Sequence, residues 1–267
     1  MIMQQFSLEI NQPDHKINVA KAALLYAKDE YGYLDIEDYL NRLETMASQI
    51  KKRLPGTSYP LKVIKVINQY LFEQLGFQGN QNDYYDPRNS YLNQVIDRGM
   101  GIPITLSVVY LEIAKRINFP MVGIGIPGHF MIRPDFKDVG IFVDVFNQGE
   151  ILFKEDCEAK LKEIYQQNIE LEPHFIEPVS NQQLLGRMLT NLKYIYLNRQ
   201  EYVKMLRIIE LILLIFPNHP IEIRDRGLLY YQIEEWQKAI HDLQLYLKIL
   251  PTAQDGDAIR QLLQKIE

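Results

Sequence analysis

The chain has 267 residues, a formal net charge of −5, 47% apolar and 24% charged residues, with 14 glycines and 13 prolines. At roughly 150 residues per domain this is room for about two domains of ordinary globular composition, which excludes the disordered, collagen-like and low-complexity classes. The acidic balance excludes a global positive field drawing the protein onto nucleic acid or anionic lipid, and the single cysteine, Cys157, excludes an internal disulfide or a multi-cysteine zinc site.

The opening MIMQQFSLEINQPDHK shows no basic stretch followed by an apolar core, so no secretory signal is expected. Residues 19–28 read as helix. Between 35 and 54 the apolar residues Ile36, Tyr39, Leu40, Leu43, Ala47 and Ile50 recur at three- and four-residue steps behind Asp35, a capping residue, predicting an amphipathic helix. A second run, Leu61, Ile64, Ile67, Leu71 and Leu75, predicts a helix that stops at Gly76, because glycine accepts the left-handed turn that ends helices. After the polar loop QGNQNDYYDP come a short helix ending at Gly99 and another starting near Pro103, whose missing N–H costs nothing in a first turn; Ile104, Val108, Leu111 and Ala114 supply its buried face.

From 121 the period changes. Residues 121–126, 129–133 and 140–146 are short β-rich runs separated by Pro127-Gly128 and the polar stretch 134–138, which predicts strands joined by turns. A hairpin symmetric about Phe136 and Lys137 opposes His129 to Asp144 and Ile132 to Ile141. Opposed residues in an antiparallel pair have Cβ atoms about 5 Å apart, close enough for the carboxylate to orient the ring. The same register gathers Phe130, Ile132, Ile141, Val143 and Val145 on one face and leaves His129 and Asp144 on the other. A helix over 154–167 follows, and LEPHFIEPVS, with two prolines and no periodicity, reads as a connector between domains. Helices followed by antiparallel strands make residues 1–178 an α+β domain.

Residues 179–267 read as a second, all-α domain. Tyr196, Tyr202, Leu206 and Pro217 return 34 residues later as Tyr230, Trp236, Ile240 and Pro251, the period of the tetratricopeptide repeat. Helices are predicted over 182–198, 201–216, 220–233 and 235–250, with a capping helix over 257–266. The most apolar stretch, 208–216, carries Glu210 and falls short of a membrane span. Two repeats are fewer than such stacks need to stand alone, so they are expected to lean on the N-terminal domain, as a buttress or as a peptide-binding groove.

A histidine and the carboxylate that orients it are two members of a nucleophilic triad, and His129 with Asp144 has that composition; a purely structural histidine–carboxylate pair has the same spacing. The phrases GFQGNQNDYYDPRNSYLNQVIDRGMGIPITLSVVYLEIAKR, IPGHFMIRP and FVDVFNQG, followed by tetratricopeptide repeats, resemble the SirB-type transglutaminase-like family of bacteria from about residue 35 onward. Related segments occur in some eukaryotic F-box proteins. The resemblance implies a papain-like core in which the catalytic relatives carry cysteine at a helix N-terminus, then histidine and aspartate on successive strands. His129 and Asp144 match the last two members. The cysteine position falls near Pro103 or Ile104, and neither can attack a carbonyl. Acyl transfer through a thiolate activated by a helix N-terminus and a histidine is therefore expected to fail.

Substitutes are Thr105 and Ser107 near the helix start, whose hydroxyls need a strong base or else bond helix backbone. Cys157, in the acidic context KEDCEAK, is expected to be a spectator with a raised thiol pKa. Within YYDPRNS, Asn89 and Ser90 are candidate binding groups against that helix, Asn89 as an oxyanion donor, while Asp86 reads as a cap or turn residue. Arg133 shares strand parity with His129 and is a candidate for binding a carboxylate, or a surface ion pair. His15, His174, His219 and His241 have no metal-ligand spacing and no phosphate-binding glycine motif is present, so neither metal nor cofactor is expected.

The favoured reading is a transglutaminase-like domain without its nucleophile, binding a protein or peptide segment in the cytoplasm, with neither nucleic acid nor membrane as partner. Its alternative is an active hydrolase or acyltransferase using a hydroxyl, or a water activated by His129. A third reading makes the histidine pair part of the core of a structural regulator.

Overall fold

The computed structural model describes residues 2–54, 56, 59–126, 128–136, 140–166, 170 and 172–266. Two compact units make up the chain, Met1–Met188 and Leu189–Glu267.

In the first unit α1 (Ile2–Ile10) packs on α2 (Val19–Glu30), which opens where the Asn18 side chain accepts from the Lys21 N–H at 3.0 Å. The sequence pattern gives no warning of α1, a helix of about two and a half turns. α3 (Ile36–Lys51) begins at Asp35, whose carboxylate accepts from the Glu37 and Asp38 N–H groups, and it buries Leu43, Ala47 and Ile50. α4 (Pro60–Asn68) runs into a π-helical segment, Gln69–Gln74, before the chain reverses at Gly76 with φ +71°. A short parallel pair, β1 (Gln78–Gly79) and β2 (Met100–Gly101), brackets α5 (Leu92–Arg98).

α6 (Pro103–Arg116) is buried almost all round, from Leu106, Val109 and Tyr110 to Thr105 and Ser107, as a helix at the centre of a core must be. The sheet β3 (Met121–Ile124), β4 (Met131–Pro134), β5 (Phe142–Asp144) and β6 (Glu150–Leu152) is antiparallel in that order, and β3 and β4 pack on α6. α7 (Lys154–Tyr165) follows. At three residues, β6 is too short to show alternation in the sequence.

The β4–β5 register differs from the symmetric hairpin. Ile132 pairs with Val143 and not with Ile141. The slip is an even number of residues, which preserves the two faces while changing the partners. Lys137, Asp138 and Val139 at the expected turn, Pro127 of the preceding one, and Gln167 at the expected end of α7 lie outside the described residues.

The stretch expected to be an interdomain connector belongs to the first unit. Pro173–Ile176 forms a 3-10 turn, Pro178 bridges Ile124, and the Val179 N–H donates to the Gly123 carbonyl at 2.9 Å. The N–H groups of Asn181 and Gln182 each reach the Asp14 carboxylate at 3.0 Å. Prolines without periodicity mark an irregular segment on a sheet edge as readily as a linker. The first unit accordingly extends through Met188, beyond the boundary expected at 178.

α8 (Asn181–Asn198) crosses that boundary, and α9 (Tyr202–Ile215), α10 (Pro220–Gln232), α11 (Trp236–Ile249) and α12 (Gly256–Leu263) complete the second unit, close to the predicted repeat helices. α10 and α11 meet at Gly227, where an added Cβ would stand 2.9 Å from the Leu243 side chain. The fold is thus α+β, an N-terminal domain of helices and a small antiparallel sheet followed by an all-α repeat unit.

Candidate functional site

Asp144 is the last residue of β5, and His129 sits just before β4 in a turn closed by its own N–H, which donates to the Ile126 carbonyl at 3.0 Å. The register slip removes the direct opposition, but the ring still reaches the carboxylate: Nε2 of His129 lies 3.0 Å from Oδ1 of Asp144. The contact is close but falls short of straight hydrogen-bond geometry.

Asp144 is fully buried and heavily partnered. Its Oδ2 accepts from Asn147 Nδ2 at 2.8 Å and from Lys160 Nζ at 3.1 Å, while the Asn147 backbone N–H approaches Oδ1 at 3.3 Å. Burial pushes this carboxyl up, yet the contacts with His129, Asn147 and Lys160 outweigh it and hold the group well below the usual carboxylate range. Lys160 also lies 2.9 Å from Glu150; burial pulls its ammonium down, and its hydrogen bonds to Glu150 and Asp144 raise it above its ordinary value. In a triad the carboxylate favours the imidazolium. Here the Lys160 ammonium shares that carboxylate with the ring.

Asn147 and Lys160 were not singled out in the sequence. Asp144 and Asn147 stand three residues apart, within reach of a local side-chain-to-backbone hydrogen bond, a signal carried by the sequence. Lys160 had none, because it reaches β5 from a helix after β6.

The leading end of α6 is a separate, dry cluster. Ile102 and Ile104 are 1% and 2% exposed, and Pro103 is buried between them. The Ile102 N–H donates to Thr105 Oγ1 at 3.2 Å, and that hydroxyl donates to the Asn89 carbonyl at 2.7 Å. Asn89 Nδ2 donates to the Asp83 and Tyr84 carbonyls at 2.7 and 3.2 Å, so both its N–H bonds are committed and neither faces an oxyanion position. The Ser90 carbonyl accepts from Tyr26 Oη at 2.9 Å, and the Ser90 and Ser107 hydroxyls are buried with no hydrogen-bond partner among the described residues. Arg133 donates from Nε to the Ile176 carbonyl at 3.2 Å and from Nη1 to the Pro134 carbonyl at 3.1 Å, with Asp135 at 3.9 Å. Of the residues singled out, His129 and Asp144 meet each other, Asn89 and Thr105 meet at α6 while the Ser90 carbonyl holds Tyr26, and Arg133 gives two of its donors to backbone carbonyls.

Cys157 lies fully buried on α7 among Ile124, Ile126, Met131, Phe142, Leu152 and Leu161. Burial, and then the neighbouring Asp156, push its thiol up to about 12.

A polar cleft of about 430 Å³ opens beside Asn147, lined by Gln78, Asn80, Gln81, Asn82, Met100 and Gln148 among others. Its wall depends on Gly79, where a Cβ would fall 2.6 Å from both the ring and the carbonyl of Phe146. The cleft therefore joins β1 to the turn that holds Asp144. Among the described residues no cluster of three metal-ligating side chains occurs, and no helix is long and apolar enough to cross a membrane.

Residues 37–190 match the family model described as the transglutaminase-like superfamily, and residues 192–264 match the tetratricopeptide repeat. A UPF0162 protein of Xylella fastidiosa (strain Temecula1) is 36% identical over 261 residues, covering 92% of this chain and 89% of that one. A UPF0162 protein of Vibrio cholerae is 33% identical over 67% of each chain. F-box only protein 21 of Pongo abelii is 29% identical over 76% of this chain and 33% of its own length. The two matched domains together suggest a protein-interaction module, since tetratricopeptide repeats generally mediate contacts between proteins.

Proposed function

The chain belongs to the transglutaminase-like superfamily, among its SirB-type UPF0162 members, and from that premise we propose that it binds an extended protein or peptide segment without turning it over. The observation that carries the reading is the leading end of α6. Where catalytic relatives present a thiol, this chain has the buried aliphatic run Ile102, Pro103 and Ile104.

Two further features support it. The one cysteine is packed in α7 with its thiol held protonated, and Thr105 and Ser107 are buried, the first with its hydroxyl committed to backbone. Meanwhile the amide-lined cleft beside Asn147 offers donors and acceptors that match a peptide backbone. The site would then use the acyl-transfer framework for recognition, and the repeat helices for a second protein contact. A single buried cysteine with no disulfide partner fits a reducing, cytoplasmic location.

The alternative, hydrolysis through a water activated by His129, draws on the 3.0 Å approach of that ring to Asp144. One pair of assays separates the two. Full-length protein is incubated with a glutamine-containing peptide and a primary amine, and ammonia release is followed while binding of the same peptide is read by fluorescence anisotropy. The binding reading expects no ammonia above background and an affinity weakened by His129→Ala. Turnover that disappears in His129→Ala at unchanged melting temperature overturns it in favour of hydrolysis or acyl transfer.

A further inference from the structure

We propose that the His129 face takes an anionic group, a carboxylate of the bound segment, through Arg187. The inference deepens the binding reading and rests on it. Arg187 lies on α8 within the first unit, and its Nη2 donates to the His129 carbonyl at 3.2 Å. Its guanidinium stacks 5.3 Å from the centre of the Phe130 ring, and a Cβ on Gly125 would come within 3.2 Å of its Nη1. These contacts hold a partly buried cation against the backbone of His129 and the ring of Phe130.

What sets it apart is the missing counter-charge at a position that is not exposed; Arg53 and Arg199, which also lie near no carboxylate among the described residues, are exposed. Arg88, Arg98, Arg116 and Arg226 each lie within 4 Å of a carboxylate. Arg187, among the described residues, lies within that distance of none. One backbone carbonyl and one aromatic face leave most of its five N–H donors unused. A desolvated guanidinium that gives only one of those bonds to the fold is poised for an incoming acceptor, and burial alone already disfavours its charged form.

The surroundings favour a peptide carrying that acceptor. Tyr84, close enough to Arg187 to feel its charge, is 37% exposed, and it packs edge-on against the exposed Tyr85 at 5.3 Å and against Phe146 at 6.0 Å. A partly exposed tyrosine near an arginine, with a second tyrosine packed on it, has the composition of an interface anchor point. One guanidinium matches the single charge of a carboxylate. A phosphate, with nearly twice that charge, asks for a second cation, and Lys160 is already shared between Asp144 and Glu150.

The test uses the full chain and three probes: Ac-Gly-Tyr with a free C-terminal carboxylate, the same dipeptide as its C-terminal amide, and Ac-Gly-Glu-Gly amide. Affinities are read by chemical-shift titration. The expectation is that a free-acid or a glutamate probe binds about tenfold more tightly than the neutral amide, the arm that does so identifying chain terminus or side chain as the source. Arg187→Gln should abolish the preference, and Arg187→Lys should restore part of it, since lysine keeps the charge but not the fork. If neither the free acid nor the glutamate probe binds the unaltered protein more tightly than the neutral amide does, a comparison that needs no variant to fold, the peptide-binding reading stands and the anion proposal is overturned. A preference that survives in folded Arg187→Gln overturns it as well. Absence of binding by all three probes overturns both.

Discussion

The ammonium of Lys160 stands 3.1 Å from Oδ2 of Asp144, on the same carboxylate whose Oδ1 faces the His129 ring at 3.0 Å. One buried anion therefore serves two bases, one of them permanently charged. That arrangement makes Asp144 a hub of the fold as much as an orienter of the histidine, and the consequences can be measured.

Asp144→Asn should destabilise the first unit by about 3 kcal/mol in urea denaturation at pH 7, because it strips a fully buried carboxylate from Lys160 and His129. The pH dependence has a definite sign. The folded carboxyl titrates below the ordinary value near ~3.9, so its contribution is complete above about pH 4 and is lost as the pH falls further. The stability gap between the original protein and Asp144→Asn should be constant from pH 7 to about 5 and close below about pH 4; a gap that widens there contradicts the assignment.

Cys157 should resist alkylation. With its thiol pushed up to about 12 and its side chain enclosed, native protein at pH 8 should react with iodoacetamide at least roughly a thousandfold more slowly than a free cysteine. Reaction becomes normal once denaturant is added. Cys157→Ala should cost about 1 kcal/mol for the small cavity in the Met131–Phe142–Leu161 cluster and leave peptide binding unchanged. Rapid labelling of the native chain would identify an accessible thiol and refute this packing.

The repeat unit carries its own buried hub. Lys193, 3% exposed at its side chain, lies 2.7 Å from Glu222 and 2.6 Å from Asp225. Lys193→Ala should cost about 3–5 kcal/mol, because Glu222 is left buried with no cation. Arg224, 2.8 Å from Asp225, limits the damage on that side. Thermal unfolding followed by circular dichroism reads the loss. A shift no larger than that of an exposed control such as Lys238→Ala would show the pair to be energetically idle.

Local signals carried most of the fold. Asp35 as a cap, Gly76 and Gly99 as helix stops, Pro103 in a first turn and the 34-residue repeat are all features that neighbouring residues decide, and each element appears where they place it. The pairing of His129 with Asp144 was legible too, because strand parity survives an even slip of register. What local chemistry could not decide was the slip itself, the burial of both N–H donors of Asn89 by backbone carbonyls, and the arrival of Lys160 and Arg187 from later helices. Those depend on which distant segments close over one another, and long-range packing leaves no periodic trace in a chain. By itself, then, the sequence determined the elements, the repeat and the candidate dyad. Tertiary structure decided the dyad's electrostatics, since the charge that reaches a buried carboxylate is set by neighbours in space rather than in order.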